Sequence, residues 1–492
     1  MSRLLRYQHF YFVGIKGVAL TALAQCLLDA GKSVRGSDVA EEFVTQPILD
    51  ARSVQIDTSF ETEIPADVDC VIYTAAHNAG QNPQVQAAAA RGIPTFSHAE
   101  ALADLFNEAQ GIAVAGVGGK STTSAMITWI LEHLNMHPNF AVGVGNIPGL
   151  EKTGQWHSDA KYFVAEADEY VTDPSAPSRN EEITPRFSFM QPFITVCTNL
   201  KHDHPDVYPT FDDTQKHFAR FFNQIKDKGV LIASVDDQDI IESLNIWTDG
   251  DQRKVVWFGQ SDESAETLLN DAHSGYSFLL QTETFSSQDG QTSCVLVVPH
   301  LDISERLTLQ LPGIFNLRNA AAAIAACSMI GVDVTEAIKA LASFRSTLRR
   351  SQYVGEKHGV KYYDDYAHHP HEVNNIVHAF REWFPERRLV VAFQSHTFSR
   401  TKQFFSEFVD AFTEASEVVM IDIFPSAREA FDSNVSSDQL CEAIRQKYPR
   451  LPAKNLKTLG ELAHFCETEL REGDILLTVG AGDIYQVYDL IH

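Results

Sequence analysis

Apolar residues along this chain fall into two alternating patterns, short unbroken runs and longer stretches at helical spacing. The clearest case lies between Gly111 and Leu134. Ile112 to Ala115 is an apolar run that suits a buried strand. Gly116 to Gly119 is a glycine-rich turn, and from Ser121 to Leu134 the apolar positions recur at helical spacing, so a helix should open near Lys120. The N-terminal stretch repeats the pattern: a strand at Phe10 to Val13, a tight turn at Gly14 to Gly17, a helix from Val18 to Ala30 ending at Gly31, and a strand at Ser33 to Arg35. Further strands are predicted at Cys70 to Ala75, Tyr162 to Ala165 and Phe193 to Cys197, with a helix from Ala99 to Phe106. Alternating runs at Val255 to Phe258, Tyr276 to Gln281, Cys294 to Val298 and Leu307 to Gln310 predict an antiparallel flap, followed by an alanine-rich helix from Gly313 to Ile330. The last third interleaves strands at Val360 to Tyr363, Leu389 to Phe393, Val418 to Ile421 and Ile475 to Val479 with helices at His371 to Trp383, Thr401 to Glu414, Ser437 to Lys447 and Leu459 to Arg471. The reading is an α/β protein of three domains, residues 1–108, 109–330 and 331–492, the first and last built as doubly wound, Rossmann-like sheets.

Composition narrows the partners. A chain of 492 residues is too long for one core, which agrees with several domains. Its formal net charge of −26 argues against nucleic acid or an acidic membrane surface as partner. It leaves room for small anions held by local cations and helix N-termini. The seven cysteines are scattered, form no paired motif and lie mostly in apolar runs, as buried reduced thiols of a cytoplasmic protein do. No signal-type segment opens the chain, and no apolar run reaches the roughly 18 residues of a membrane span, so none is expected.

The chemistry concentrates at the predicted strand ends. Strand, glycine loop and helix at 111–134 is the context of a phosphate-binding loop. There Gly116, Gly118 and Gly119 let backbone N–H groups converge on phosphate oxygens, Lys120 reaches the terminal phosphates, and the Ser121 hydroxyl, followed by Thr122, is placed for Mg²⁺. The spacing departs from the usual pattern, which has a glycine where this chain has Val114. Glu166-Ala-Asp168-Glu169 follows one strand, and Asn199 with His202-Asp203-His204 follows the next. Acid and imidazole at two neighbouring strand ends beside a phosphate loop suit Mg²⁺ better than a structural Zn²⁺ site. A second loop, Gly14-Ile15-Lys16-Gly17, precedes Ser37-Asp38 at the spacing of a dinucleotide fold, but its third glycine is missing. A polar Pro/Ser/Glu-rich segment runs from Thr172 to Pro192. In the last third, the strand ends carry Asp364-Asp365-Tyr366-Ala367-His368-His369-Pro370, Gln394-Ser395-His396, and Gly480-Ala481-Gly482-Asp483, the last reading more as a close-packed turn than as a site.

Together these motifs closely resemble the Mur ligase family, ATP-dependent amide-bond-forming enzymes of peptidoglycan synthesis, over essentially the whole chain. Gly116-Val-Gly-Gly-Lys-Ser-Thr-Thr looks like the family's phosphate loop, with Val117-Gly118 in place of Thr-His and Ser121 in place of a Thr. Glu166 matches its metal-binding glutamate, Thr198-Asn199 with Asp203-His204 its second metal motif, and Asn316 the asparagine near adenine, although the preceding residue is Phe315 rather than His. The resemblance implies ATP and Mg²⁺ as cofactors, with metal at Ser121, Glu166 and His204, and Arg349, Arg350 and Asp365 orienting ATP. It implies that His369, His396 and Arg400 hold an acyl phosphate and the incoming amine, and that Gly14, Ile15, Lys16, Gly17, Ser37 and Asp38 bind the UDP part of the substrate. The branch most resembled joins L-alanine to the lactyl carboxylate of UDP-N-acetylmuramate through an acyl phosphate. Glu169-Tyr170 with Val171-Thr172 pulls toward the branch that joins a preformed murein tripeptide to the same sugar nucleotide, and Thr397 in place of the family's Arg and the long segment from Thr172 leave the incoming amino acid or peptide open. The implied enzyme is cytoplasmic, a monomer or homodimer, with groups that meet only when the domains close. Two readings of other classes compete: a nicotinamide-dependent oxidoreductase, which leaves the Lys120 loop unexplained, and a non-catalytic nucleotide switch, which leaves the metal-type carboxylate and imidazole unexplained.

Overall fold

The computed structural model describes residues 2–179, 181–202, 204, 207–246, 254–261, 276–288, 290–424 and 431–491. Three sheets form the framework. The first is parallel, in the spatial order Gln55–Asp57, Ser33–Ser37, His9–Val13, Cys70–Tyr73, Thr95–Ser97. Its order reverses between His9–Val13 and Cys70–Tyr73, the switch point beside which open sheets take ligands. The ten-stranded second sheet is centred on Gln110–Ala115, which pairs in parallel with Ile194–Cys197 on one side and Tyr162–Glu166 on the other. This register brings the ends of three strands, and the loops that follow them, to one edge.

The expected flap is in part a continuation of this sheet. Lys254–Gln260 pairs in parallel with Val230–Ser234, and Trp257 to Gln260 pair in parallel with Ser277 to Leu280, where an antiparallel arrangement was expected. Alternation of apolar and polar residues marks a half-buried strand but says nothing about its direction. The third sheet has the order Gln352–Lys357, Val360–Asp365, Ile475–Val479, Leu389–Phe393, Glu417–Met420, Ala453–Asn455. It is parallel except for its first, antiparallel edge strand. The helix expected over Thr401 to Glu414 is two, Phe398–Gln403 and Phe405–Asp410, separated at Phe404, whose φ of −108° leaves the helical range.

The chain divides into two compact units, one of residues 1–284, 294–307 and 318–344, the other of 285–293, 308–317 and 345–492. Within the first, the N-terminal and ten-stranded sheets share a continuous core. Helices Val18–Asp29 and His98–Phe106 bring Cys26, Leu27, Leu102 and Phe106 against Trp156, Phe163 and Phe187. Phe163 is fully buried, with its ring 5.7 Å from Phe106 and 6.2 Å from Trp156. Gly154 lies so close to the Ala22 carbonyl that a Cβ would be 2.7 Å from the carbonyl carbon. The second unit has its own core around Tyr363, Phe380, Trp383, Phe393 and Phe412.

Phe163→Ala should lower the stability of the first unit by about 3–5 kcal/mol, the usual cost of an aromatic-sized cavity. Urea unfolding followed by tryptophan fluorescence would read this as an earlier midpoint. A midpoint shift worth less than about 0.5 kcal/mol, the range of surface substitutions, would show that the two sheets do not depend on this contact.

Candidate active site

The glycine loop takes its shape from the neighbouring strand end. Gly116 has a φ of +124°, and a Cβ there would collide with Thr198 Oγ1 and come within 2.7 Å of the Asn199 carbonyl oxygen. The Gly118 N–H donates to Asn199 Oδ1 at 2.9 Å, and Asn199 Nδ2 donates back to the Gly118 carbonyl at 3.0 Å. Thr198 Oγ1 stands 2.6 Å from that same carbonyl oxygen. Thr198 and Asn199, expected as part of a metal motif, thus clamp the loop. Gly119 N-caps the helix Lys120–His133 in a left-handed conformation, opposite Asn319 Oδ1. Thr122 is buried in the first turn.

Lys120 points into a cluster of carboxylates. Its Nζ donates to the Gly116 carbonyl at 2.6 Å and to Glu169 Oε1 and Oε2 at 3.1 and 2.9 Å. Burial works against its charge, but Glu169 and Asp168 outweigh that and hold its pKa above the ordinary lysine value. Ser121 Oγ donates to Glu166 Oε2 at 3.0 Å, and the Gly143 N–H donates to Glu166 Oε1 at 2.6 Å. Burial pushes the Glu166 carboxyl up, with Lys120 and these two hydrogen bonds opposing it. His204 Nε2 is 3.7 Å from Glu169 Oε1, and its ring packs 4.7 Å from that of Tyr170. Asp203 lies outside the described residues.

A cavity of about 230 Å³ opens beside this cluster, between helices Val18–Asp29 and His98–Phe106 and the strand ends of the ten-stranded sheet. Lys120, Glu166 and Asp168 line one side, while Ala19 and Ala22 of the N-terminal helix, His98 and Leu102 line another. Arg186 also faces it, bonded through Nη1 to Asp168 Oδ2 at 2.5 Å, with its guanidinium 5.3 Å from the Tyr170 ring centroid. Burial of Asp168 is outweighed by Arg186 and Lys120, which hold its carboxyl well below the usual range. Burial pushes the His98 imidazole down to about 4. His98 and Arg186 were not among the expected site residues, and Asp168 and Glu169 had no individual role there. Glu169 and Asp168 were legible as part of the acid run after a strand. Arg186 sits in the second half of the Thr172–Pro192 segment, next to Pro185, which pairs with Val171 in an isolated bridge, and nothing in the local pattern marks it.

The N-terminal group is tightly self-bonded. Gly14 and Ile15 N–H donate to the Ser37 carbonyl at 2.8 and 3.2 Å, and Lys16 N–H donates to Asp38 Oδ2 at 2.7 Å. The buried Lys16 ammonium donates to the Val39 and Glu41 carbonyls at 2.9 and 2.8 Å, bracing the loop after Asp38. The Gly17 N–H donates to the Gly14 carbonyl at 3.3 Å, and Ser37 Oγ donates to Gln84 Oε1 at 2.5 Å.

In the second unit, Arg349 commits its guanidinium internally: Nε to Asp364 at 2.9 Å, Nη1 to the Gly482 carbonyl at 3.1 Å and Nη2 to the Gly480 carbonyl at 2.6 Å. Gly480-Ala481-Gly482 is accordingly the close-packed turn expected, and a Cβ on Gly482 would come within 2.8 Å of Phe424. Arg350 lies over the Tyr366 ring and acts on the charge of Asp365. Burial pushes the Asp365 carboxyl up to about 6, with Arg350 and the Ala367 and Ser351 N–H groups acting against it. His369 caps the helix Pro370–Trp383, His396 stacks on Phe424 at 5.8 Å, and Arg400 lies in the short helix Phe398–Gln403. Arg400 and Arg350 both act on His368, so these strand-end groups share one electrostatic neighbourhood. Asn316 is buried, its Nδ2 donating to the Pro312 carbonyl at 2.8 Å.

Comparison with known proteins accounts for all three sheets. Residues 9–110 match a family model described as Mur ligase family, catalytic domain, residues 114–327 the Mur ligase middle domain, and residues 349–482 the Mur ligase glutamate ligase domain. A UDP-N-acetylmuramate–L-alanine ligase of Bdellovibrio bacteriovorus is 33% identical over 482 residues, 97% of each chain. One of Desulfitobacterium hafniense is 33% identical over 97% of this chain and 98% of its own. Among solved structures, a UDP-N-acetylmuramate–alanine ligase of Thermotoga maritima has the same fold, with a TM-score of 0.77 at 24% identity over 99% of this chain and 98% of that one. A murein peptide ligase of Psychrobacter arcticus follows this fold with a TM-score of 0.66 at 20% identity over 98% of both chains. On the strength of these full-length matches, the chain belongs to the Mur ligase family.

Proposed function

We propose that the protein is an ATP-dependent ligase that joins L-alanine to the lactyl carboxylate of UDP-N-acetylmuramate, releasing ADP and phosphate. One observation carries this reading: the phosphate loop, with Lys120, Ser121 and Glu166 at its mouth, opens directly onto the cavity lined by the N-terminal helix. A nucleotide phosphate on the loop and a carboxylate in the cavity would be neighbours. The names of the full-length relatives supply the substrates. In this reading residues 1–108 take the UDP-sugar, with Gly14 to Gly17, Ser37 and Asp38 around the diphosphate. Residues 109–330 hold ATP, and residues 331–492 supply the groups that complete the reaction.

The reaction brings two anions together, so neutralising charge is the main task of the site. Lys120 would take the terminal phosphates. Ser121 and Glu166 offer a hydroxyl and a carboxylate oxygen 3.0 Å apart, a hard donor pair that fits Mg²⁺. Among the described residues no three His, Cys, Asp or Glu side chains converge to hold a metal alone, which agrees with an ion that takes phosphate and water as its other ligands. Bound Mg²⁺ supplies Lewis-acid neutralisation of the phosphate charge. His204 stands by Glu169 as the further imidazole of this edge. The carboxylate attacks the γ-phosphorus, ADP leaves, and the neutral amine of L-alanine displaces phosphate from the acyl phosphate. His369, His396 and Arg400 would hold the acyl phosphate and the amine. Of the two arginines, Arg350 is the better candidate for contact with ATP, because Arg349 commits Nε, Nη1 and Nη2 within the fold.

Two outcomes test this. Phosphate release from ATP and Mg²⁺ with UDP-N-acetylmuramate should require L-alanine, yield an amide product by mass, and fall at least about a hundredfold in Lys120→Ala. Glycine, L-serine and the murein tripeptide serve as alternative amines. Release with the tripeptide alone would move the protein to the peptide-joining branch, and a fully active Lys120→Ala would remove the loop from the mechanism. If ionised Asp365 orients ATP, kcat/KM for ATP should fall as pH drops through about 6, where its carboxyl gains a proton. Asp365→Asn should lose that acid limb at reduced activity, and a limb that persists in the variant would exclude Asp365 as its source.

A further inference from the structure

Lys120 has three N–H groups. Its ammonium contacts three acceptor atoms, the Gly116 carbonyl and both oxygens of Glu169. A phosphate can engage this lysine only if one of those contacts yields. The Gly116 carbonyl belongs to the clamped loop and cannot move far without breaking the Gly118–Asn199 pairing. The carboxylate of Glu169 can, because its oxygens meet mobile side chains, Lys120 and, at 3.7 Å, His204, while its backbone is held by the Tyr208 hydroxyl donating to its carbonyl.

We propose that Glu169 is a positioning residue that holds Lys120 when no nucleotide is bound and competes with nucleotide phosphate for it, so that it sets how readily ADP leaves. The proposal rests on the loop being the ATP site. Glu169 is only 3% exposed, so water screens its charge poorly. A phosphate arriving at Lys120 therefore meets a nearby like charge. The exit for the carboxylate lies on the His204 side, where Nε2 is 3.7 Å from Oε1. When product phosphate departs, Glu169 retakes the ammonium, which is otherwise a part-buried cation without its main counter-ion. Two neighbours do not compete for this role: Asp168 is bonded to Arg186, and Glu166 to Ser121 and Gly143.

The test is ADP binding by calorimetry to the full-length protein, with and without Mg²⁺. Glu169→Gln, which keeps the shape and removes the charge, should bind ADP roughly tenfold more tightly, as loss of one poorly screened like charge predicts. It should also lower KM for ATP and kcat together, because ADP leaves more slowly. Glu169→Asp, which withdraws the carboxylate but keeps its charge, should tighten binding less, and it stands in if the Gln variant does not fold. Binding that is unchanged or weaker in folded variants overturns the proposal while leaving the functional reading intact. No ADP binding by the unaltered protein overturns the functional reading, and the proposal with it.

Discussion

An ammonium drawn largely out of water needs a counter-ion, and the region around Lys120 is built on that requirement. The lysine sits at the start of a helix to reach phosphate, largely out of water, where leaving it unpaired would be costly. Glu169 supplies the charge and the Gly116 carbonyl the third acceptor. Glu169 can do so only because the strand Tyr162–Glu166 lies beside the strand Gln110–Ala115 in parallel register, with Val114 opposite Glu166. The acid run that follows one strand then flanks the glycine loop that follows the other. The third strand end, Thr198-Asn199, closes the arrangement by gripping the loop from its other side. Three neighbouring strand ends thus divide the work: one presents backbone N–H groups and a lysine, one presents carboxylates, and one fixes the loop.

The shared core of the first unit gives this edge its second half. Helix Val18–Asp29 packs on the strands Asn139–Ala141 and Gly154–Gln155 as well as on its own sheet, through contacts as close as Gly154 on Ala22. The residues that line the cavity therefore come from two helices of the N-terminal part and from the strand ends and loops of the ten-stranded sheet, held by one set of buried side chains. The small Ala19 and Ala22 leave the cavity open where larger residues would fill it. A nucleotide loop alone supports many chemistries; a nucleotide loop facing a cavity with His98 and Arg186 on its wall supports transfer to a bound acceptor.

The framework was legible where local pattern and burial agree. Runs such as Ile112 to Ala115 and Leu389 to Phe393 are fully buried strands, and the glycine loop with Lys120 is where the sequence placed it. The edge strands Gln55–Asp57, Thr95–Ser97 and Ala453–Asn455 had no comparable signal, because three residues at a sheet margin need no apolar run. Strand direction past residue 254 was not legible either, since alternation is the same for parallel and antiparallel neighbours. At the site, residue types were readable but their partners were not. Lys16 reads as a ligand contact from its place in a glycine turn, yet its ammonium caps the Val39 and Glu41 carbonyls. Arg349 reads as an ATP contact, yet its donors serve Asp364 and the glycine turn. Both side chains have reach, and which acceptors fall within it is decided by segments far away in sequence.

The same reasoning explains why Glu166 had a role legible in the sequence while Glu169 stood there only as a member of the acid run. Each follows the strand, but Glu166 is its last residue, and its carboxylate meets Ser121 and the Gly143 N–H as the register dictates. Glu169 lies three residues further on, in a segment whose course depends on the Tyr208 hydroxyl holding its carbonyl and on Arg186 drawing Asp168 aside. Those two residues come from either end of the next strand's surroundings, one before Ile194–Cys197 and one after it. The carboxylate that neutralises Lys120 is therefore placed by tertiary packing rather than by local pattern, and the charge balance of the loop depends on the whole edge being assembled.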